Sequence, residues 1–295
     1  MTGPLQFEAP TALDYFASLV ADDTHFALLE AAVAVAQDDD AALDVQGVLA
    51  QIDGLAERLR RRLPADAAPL QRLRLLNTYF FHELGFSGNV NNYYDRANSA
   101  LPEVLRTRRG IPLTLALLYV ELATQIGLQA HGVAFPGHFL VKLHLPRGEV
   151  VIDPFSGRSL AREDLEERLL PFRQAHGPQA QAAYEAVPAD ESVPLGLYLQ
   201  AATPRDTIAR LLRNLKEIHR SARDWPRLAK VQRRLVILLP VDWDERRDHA
   251  LALSQLGRHA LAADELATYL RERPDAGDAA ALRRELAAWR RDGDG

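Results

Sequence analysis

One segment limits the folds open to this chain more than any other. From Pro112 onward, Leu113, Leu115, Ala116, Leu117, Leu118, Val120 and Leu122 make a helical stretch apolar nearly all round, and Gly127 is placed to end it. Proline suits the first helical position, where its missing N–H costs nothing. A helix without a polar face must be wrapped by other elements, and the next residues supply them. Gln129 to Val133 can begin a sheet. Phe139, Val141, Leu143 and Leu145 then alternate with Leu140, Lys142 and His144, the period-2 pattern of a strand with one fully apolar face. Pro146-Arg147-Gly148 turns the chain, and Glu149 to Ile152 returns to Asp153-Pro154. The expectation is an α+β core: a central buried helix against an antiparallel hairpin.

Both flanks read as helical. From Thr11 to about Arg62 apolar residues such as Phe26, Leu29, Ala32 and Val33 recur at helical spacing, interrupted by Asp38-Asp39-Asp40. This predicts an N-terminal helical cap over residues 1–70 and a core over 71–175. Residues 176–202, bounded by Gly177, Pro178, Pro188 and Pro194, read as a linker. Over 203–295, Pro240 and Pro274 stand 34 residues apart, with Ala229 in register with Ala263 and Leu235 with Tyr269. That period, and Ala262, Ala263, Leu266 and Tyr269 before Pro274, resemble a tetratricopeptide repeat. Two repeats fall short of the three a free-standing array needs, so they are expected to pack on the core or on an extra helix.

Composition excludes several classes. There is no cysteine, hence no disulfide, no thiolate zinc site and no thiol nucleophile. A net charge of −5 gives no overall basic footprint for nucleic acid, and Arg58, Arg60, Arg61 and Arg62 read as an exposed basic helix face. No run of about 18 uncharged apolar residues suggests a membrane span. The segment from Met1 to Glu8 lacks the basic and apolar regions of a secretory signal, so a cytoplasmic location is expected. His82-Glu83-Leu84-Gly85-Phe86 begins like a zincin motif but has Phe86 where the second ligand is required. No metal is assigned, no cofactor fingerprint is found, and no membrane or nucleic-acid partner is expected.

Several motifs occur in one order: Glu83-Leu84-Gly85-Phe86, Gly88-Asn89, Asn92-Tyr93-Tyr94-Asp95, Asn98-Ser99, Arg108-Arg109-Gly110-Ile111-Pro112, Phe135-Pro136-Gly137-His138-Phe139 and Val151-Ile152-Asp153-Pro154-Phe155. Together they resemble the core of the transglutaminase-like (papain-type) fold, and within it the SirB/YchA family of bacterial proteins with a helical-repeat C-terminus. The resemblance runs from Leu76 to Leu160, about the middle third of the chain. Arg96 departs from the proline that commonly follows the Tyr-Tyr-Asp of such proteins. The resemblance implies a nucleophile opening the buried helix, followed by a His and an Asp. His138 and Asp153 match the last two, while Pro112 occupies the nucleophile position, in frame with Gly110 and Ala116.

For each candidate residue two readings stand. Thr114, a half-turn into the helix, carries the nearest hydroxyl; it is either a nucleophile activated by His138 or a core hydroxyl bonded to backbone. With a turn over 146–148, a regular ladder sets Asp153 opposite Val141 or Lys142, on the order of 10 Å from His138. A bulge, twist or bend at Gly137 must close that gap if His138 and Asp153 are to pair. The pair is either a base with its orienter or a loop anchor. The loop carrying Asn92, Tyr93, Asp95 and Asn98 suits ligand recognition and equally suits satisfaction of its own backbone. Arg109, beside Arg108, is an anion-binding or merely solvated cation. The expected function is a non-catalytic, regulatory protein- or peptide-binding module using the cleft and the helical repeats. The alternative is an amide or ester hydrolase or transferase with Thr114 or water as nucleophile, His138 as base and Asp153 as orienter.

Overall fold

The computed structural model describes residues 10–174 and 194–293, so most of the expected linker at 176–202 lies outside the described residues. The chain forms two compact units, Asp44–Thr207 and a second that joins Met1–Leu43 to Ile208–Gly295. Helices α1 (Ala12–Leu19) and α2 (Leu28–Ala34) fall in the second unit; the first begins with α3 (Val45–Arg60). The expected boundary at residue 70 is therefore not a unit boundary. The reason lies in α3, whose buried stripe Val48, Ile52, Leu55, Ala56 and Leu59 packs against the central helix, so that it belongs with the core.

The core unit continues with α4 (Pro69–Asn77), a π-helical turn over Thr78–Glu83, the short strand β1 (Ser87–Gly88), α5 (Leu101–Thr107) and the short strand β2 (Arg109–Gly110). Strands β1 and β2 pair in parallel. Helix α6 (Pro112–Gln125) is the central one: every residue from Pro112 to Tyr119 is buried. Burial of each such leucine contributes about 1.5–3 kcal/mol, which fixes α6 as the anchor of the fold. Beyond Gly127, which holds φ +77, an antiparallel sheet follows in the order β3 (Gln129–Val133), β4 (Leu140–Leu145), β5 (Gly148–Asp153) and β6 (Arg158–Leu160). Helix α6 packs on this sheet. Leu165 and Leu169 of α7 (Arg162–Gln174), with Leu195 and Tyr198 of α8 (Leu195–Tyr198), pack with Val133, Leu140 and Val151. The Ala202 N–H donates to Gly132 O at 2.9 Å and so covers part of the β3 edge.

Helix α9 (Pro204–Ser221), which enters the second unit from Ile208, leads into α10 (Trp225–Leu238), α11 (Trp243–Gln255), α12 (His259–Glu272) and α13 (Ala279–Gly293). The 34-residue period is visible in the elements, since α10 opens at Trp225 and α12 at His259. Ala229, Ala263, Leu235 and Tyr269 are all buried. The extra packing partner that two repeats require is the N-terminal segment. Phe16 is fully buried under the Arg234 guanidinium, 4.7 Å from its ring centroid, and Arg234 makes a bidentate pair with Asp38, both contacts at 2.8 Å. Asp39 accepts from Arg227, and Lys230 Nζ donates to Asp38 O at 2.7 Å. Asp38 and Asp39 thus dock the first two helices onto the basic side of α10. No helix of the described residues is long and apolar enough to cross a membrane.

Candidate functional site

His138 lies in a tight turn, outside the strand. Its N–H donates to Phe135 O at 3.0 Å, with Pro136 and Gly137 between them. Gly137 holds φ +69, which suits Pro-Gly at the centre of a type II turn. A Cβ there would also lie 2.5 Å from the Phe172 ring, so glycine is required on two counts. The β4–β5 loop is shorter than expected: Leu145 pairs with Gly148, so Pro146 and Arg147 alone make the connection. Val141 then pairs with Ile152, and Asp153 comes level with Leu140. The shorter loop and the Pro-Gly turn close the gap of about 10 Å expected from a regular ladder. His138 Nε2 and Asp153 Oδ1 are 2.8 Å apart.

Asp153 is buried and serves three elements. Oδ1 also accepts from the Phe155 N–H at 2.9 Å, and Oδ2 accepts from Arg168 of α7 at 3.1 Å. Burial pushes the carboxyl up, but the hydrogen bond and charge of His138, the Phe155 N–H and Arg168 outweigh it and hold the group well below the usual carboxylate range. The ionised carboxylate can only accept, so Nε2 of His138 carries the proton. In the neutral imidazole Nδ1 is then the acceptor, and it has no hydrogen-bond partner among the described residues.

Thr114 is fully buried, and its hydroxyl donates to Asn98 O at 2.8 Å and lies 3.1 Å from Ile111 O. Those bonds tie the start of α6 to the Asn-rich loop and direct the proton to carbonyls, away from an imidazole. A Cβ at Gly110 would come 2.7 Å from that same hydroxyl. Pro112, also buried, has no group that can attack.

The Asn-rich loop is built around Asn98, which is buried. Its Nδ2 donates to Asn92 O at 2.7 Å and Tyr93 O at 3.1 Å, and its Oδ1 accepts from Asn89 at 3.0 Å. Asn92 Nδ2 donates to Asp95 at 3.1 Å, and Asp95 caps the 3-10 turn through the Ala97 N–H at 2.9 Å. Arg109 donates to Gly85 O at 2.7 Å and Arg108 O at 3.0 Å, clamping the same loop while remaining exposed. The side chains of Asn92, Asp95 and Asn98 are thus committed to the loop itself. Its aromatic residues are what face outward.

Tyr94 is 76 % exposed and Val90 78 %, with Tyr93 at 39 %. Tyr93 stacks edge-on with Tyr94 at 5.3 Å and lies 5.9 Å from the Phe155 ring, which in turn stands 6.4 Å from the His138 imidazole. Gly88 makes room for this row: a Cβ there would fall 2.2 Å from Phe155, whose carbonyl accepts from the Gly88 N–H at 2.9 Å. Phe155 and Arg168 were not expected at the site. Phe155 sits in the Asp-Pro-Phe motif, a sequence signal that its alternation-free position left unread; Arg168 has no such signal, because only the packing of α7 brings it to Asp153. His131 and His144 meet across β3 and β4 with rings 5.1 Å apart, yet no group of three or more potential ligands is placed to hold a metal ion among the described residues.

The order of these elements, from buried helix to His turn to Asp strand, has a counterpart among known families. The family model of the transglutaminase-like superfamily matches residues 46–213. The chain belongs to the transglutaminase-like superfamily. A tetratricopeptide-repeat model matches residues 215–287. A UPF0162 protein of Xylella fastidiosa is 34 % identical over 254 residues, 86 % of each chain, and one of Pseudomonas aeruginosa is 31 % identical over 215 residues, 73 % of each. A stretch of 72 residues is 39 % identical to F-box only protein 21 of Homo sapiens, covering 24 % of this chain and 12 % of that protein. No solved structure gives a significant match. Within this core unit His138 and Asp153 are paired, and the central helix opens with Pro112.

Proposed function

We propose that this protein, a member of the SirB/YchA branch acting in the cytoplasm, is a regulatory protein- or peptide-binding module whose core cleft no longer catalyses acyl transfer. The observation that carries this reading is the commitment of the Thr114 hydroxyl to Asn98 O and Ile111 O beside a proline that cannot attack. Acyl transfer by covalent catalysis has no first step without a nucleophile. What remains is a recognition surface: an outward-facing row of Tyr94, Tyr93 and Phe155 ending at an imidazole nitrogen that accepts a hydrogen bond. Aromatic faces beside a few placed polar groups suit an extended peptide. The tetratricopeptide-like helices offer a second surface.

One feature favours a second reading. His138, oriented by Asp153 and with Nδ1 unoccupied among the described residues, has the arrangement of a general base for water. The two readings separate by nuclear magnetic resonance of the imidazole nitrogens during titration with a pooled, defined peptide library. Binding predicts that the Nδ1 resonance of His138 moves as peptides associate, that the peptides keep their mass, and that Tyr93→Ala/Tyr94→Ala abolishes the shift. Peptides hydrolysed by the intact protein but not by His138→Ala would overturn the binding reading.

A further inference from the structure

The unit of N-terminal and repeat helices contains a groove of about 840 Å³, within the range of about 300–1,000 Å³ that ligand sites occupy. One wall comes from the start of α1 and from Gln37 and Asp38 after α2; the other comes from α10, α11 and α12. Its lining divides by chemistry. Leu253, Leu256 and Leu261 supply apolar surface, and Leu261 is 55 % exposed. Lys230, Arg233, Arg246 and Arg258 supply positive charge.

Against these four cations the lining sets three carboxylates, Asp38, Asp264 and Glu265, and Asp38 is already paired with Arg234, so positive charge remains in excess. Arg233 and Arg246 share a single partner, Glu265, at 3.1 and 2.6 Å. Lys230 bonds a backbone carbonyl, because the Asp38 carboxylate is taken up by Arg234. Arg258 is exposed at the start of α12. Three buried polar atoms on the lining also lack hydrogen-bond partners among the described residues: Arg246 Nε, His249 Nδ1 and Gln37 Oε1. The His249 side chain is only 7 % exposed, and its Nδ1 stays 3.6 Å from Glu265, outside hydrogen-bond reach. Leaving a buried donor or acceptor unpaired costs free energy, so an occupant that satisfies these atoms would gain from doing so.

We infer that this groove is a docking site for a peptide segment that carries both apolar and acidic side chains. Leucine-type side chains lie on Leu253, Leu256 and Leu261. Carboxylates meet the surplus cations Lys230 and Arg258 and accept from the Arg246 Nε–H, and a peptide N–H donates to Gln37 Oε1. The site is separate from the aromatic row of the core and does not depend on that row binding anything.

The test uses the full chain and three fluorescein-labelled ten-residue peptides that alternate leucine with glutamate, glutamine or lysine, read by fluorescence polarisation. The leucine–glutamate peptide is expected to bind, the glutamine peptide at least ten-fold more weakly and the lysine peptide not measurably. Binding should weaken as salt rises. Lys230→Gln/Arg258→Gln should lower affinity at least ten-fold, and Arg258→Gln, at an exposed residue that holds no docking contact, should weaken binding with an unchanged melting temperature, whereas Lys230→Gln also gives up the bond to Asp38 O. Leu261→Ser should lower affinity at least ten-fold without altering the salt dependence. Equal binding of the glutamate and glutamine peptides, or full affinity in Lys230→Gln/Arg258→Gln, would overturn the proposal. So would self-association of the chain that Leu261→Ser abolishes, or preference for a single-stranded oligonucleotide over the leucine–glutamate peptide.

Discussion

In the core unit, Asn98 and Asp153 are hubs whose hydrogen bonds reach partners at most 16 residues away, whereas in the second unit Asp38 is held by Arg234 from 196 residues further along the chain. The core also leaves fewer buried polar atoms unpaired. Among the described residues these are Arg108 Nη1 and His131 Nε2 in the core, against Gln37, Gln232, Arg234, Arg246, His249 and His259 in the other unit. Local turns in the core saturate their own polar groups, so recognition there falls to exposed rings. Helices joined by long-range ion pairs leave donors and acceptors unsatisfied, so recognition there falls to charge.

The largest effect is expected where the long-range contact is cut. Asp38→Asn leaves the fully buried Arg234 side chain without its carboxylate, and loss of one partner from a buried pair costs about 3–5 kcal/mol. Chemical denaturation should show that loss, and limited proteolysis should release the segment before residue 44 first. If Asp38→Asn is as stable as the parent, the Asp38–Arg234 pair does not hold the N-terminal helices and the contrast between the units fails.

Asp153→Ala should come next, at about 3 kcal/mol, since it strips a buried acceptor from His138, the Phe155 N–H and Arg168. The pH dependence sharpens this. The folded carboxylate holds its proton less tightly than the unfolded one, so as pH falls below about 4 the unfolded chain takes up protons first and stability drops. Asp153→Asn should flatten that slope when melting temperature is followed between pH 5 and pH 3. An unchanged slope would mean that Asp153 is not the controlling carboxylate.

The difference between the units also explains what could be read from the sequence. The apolar helix from Pro112, the alternating strand through Leu145 and the 34-residue period are properties of contiguous residues, and each appears in the fold. The His138–Asp153 contact was harder, because ladder arithmetic treats His138 as strand while Pro136-Gly137 folds it back in a turn. Nothing in Asp38-Asp39-Asp40 points to Arg227, Lys230 and Arg234, since complementary charge across such a separation leaves no periodic trace. Arg168 was illegible for the same reason. At the loop, Asn and Asp suit ligand recognition and turn formation equally well in sequence, and only geometry shows their side chains spent within the loop.

Smaller effects separate structure from recognition. Thr114→Val removes a donor from buried carbonyls and should cost about 1–2 kcal/mol while leaving peptide binding intact. Tyr94→Ala, at a side chain 76 % exposed, should change stability by no more than about 0.5 kcal/mol yet weaken binding in the core. Thermal melts paired with binding curves distinguish the two.

The most direct measurement of the central claim is mass spectrometry of a defined peptide and ester library after prolonged incubation with the intact protein and with His138→Ala. A core that binds without catalysis returns every library member at its original mass with both proteins. Any member cleaved or modified by the intact protein and spared by His138→Ala would contradict the account and make His138 the base of a working enzyme.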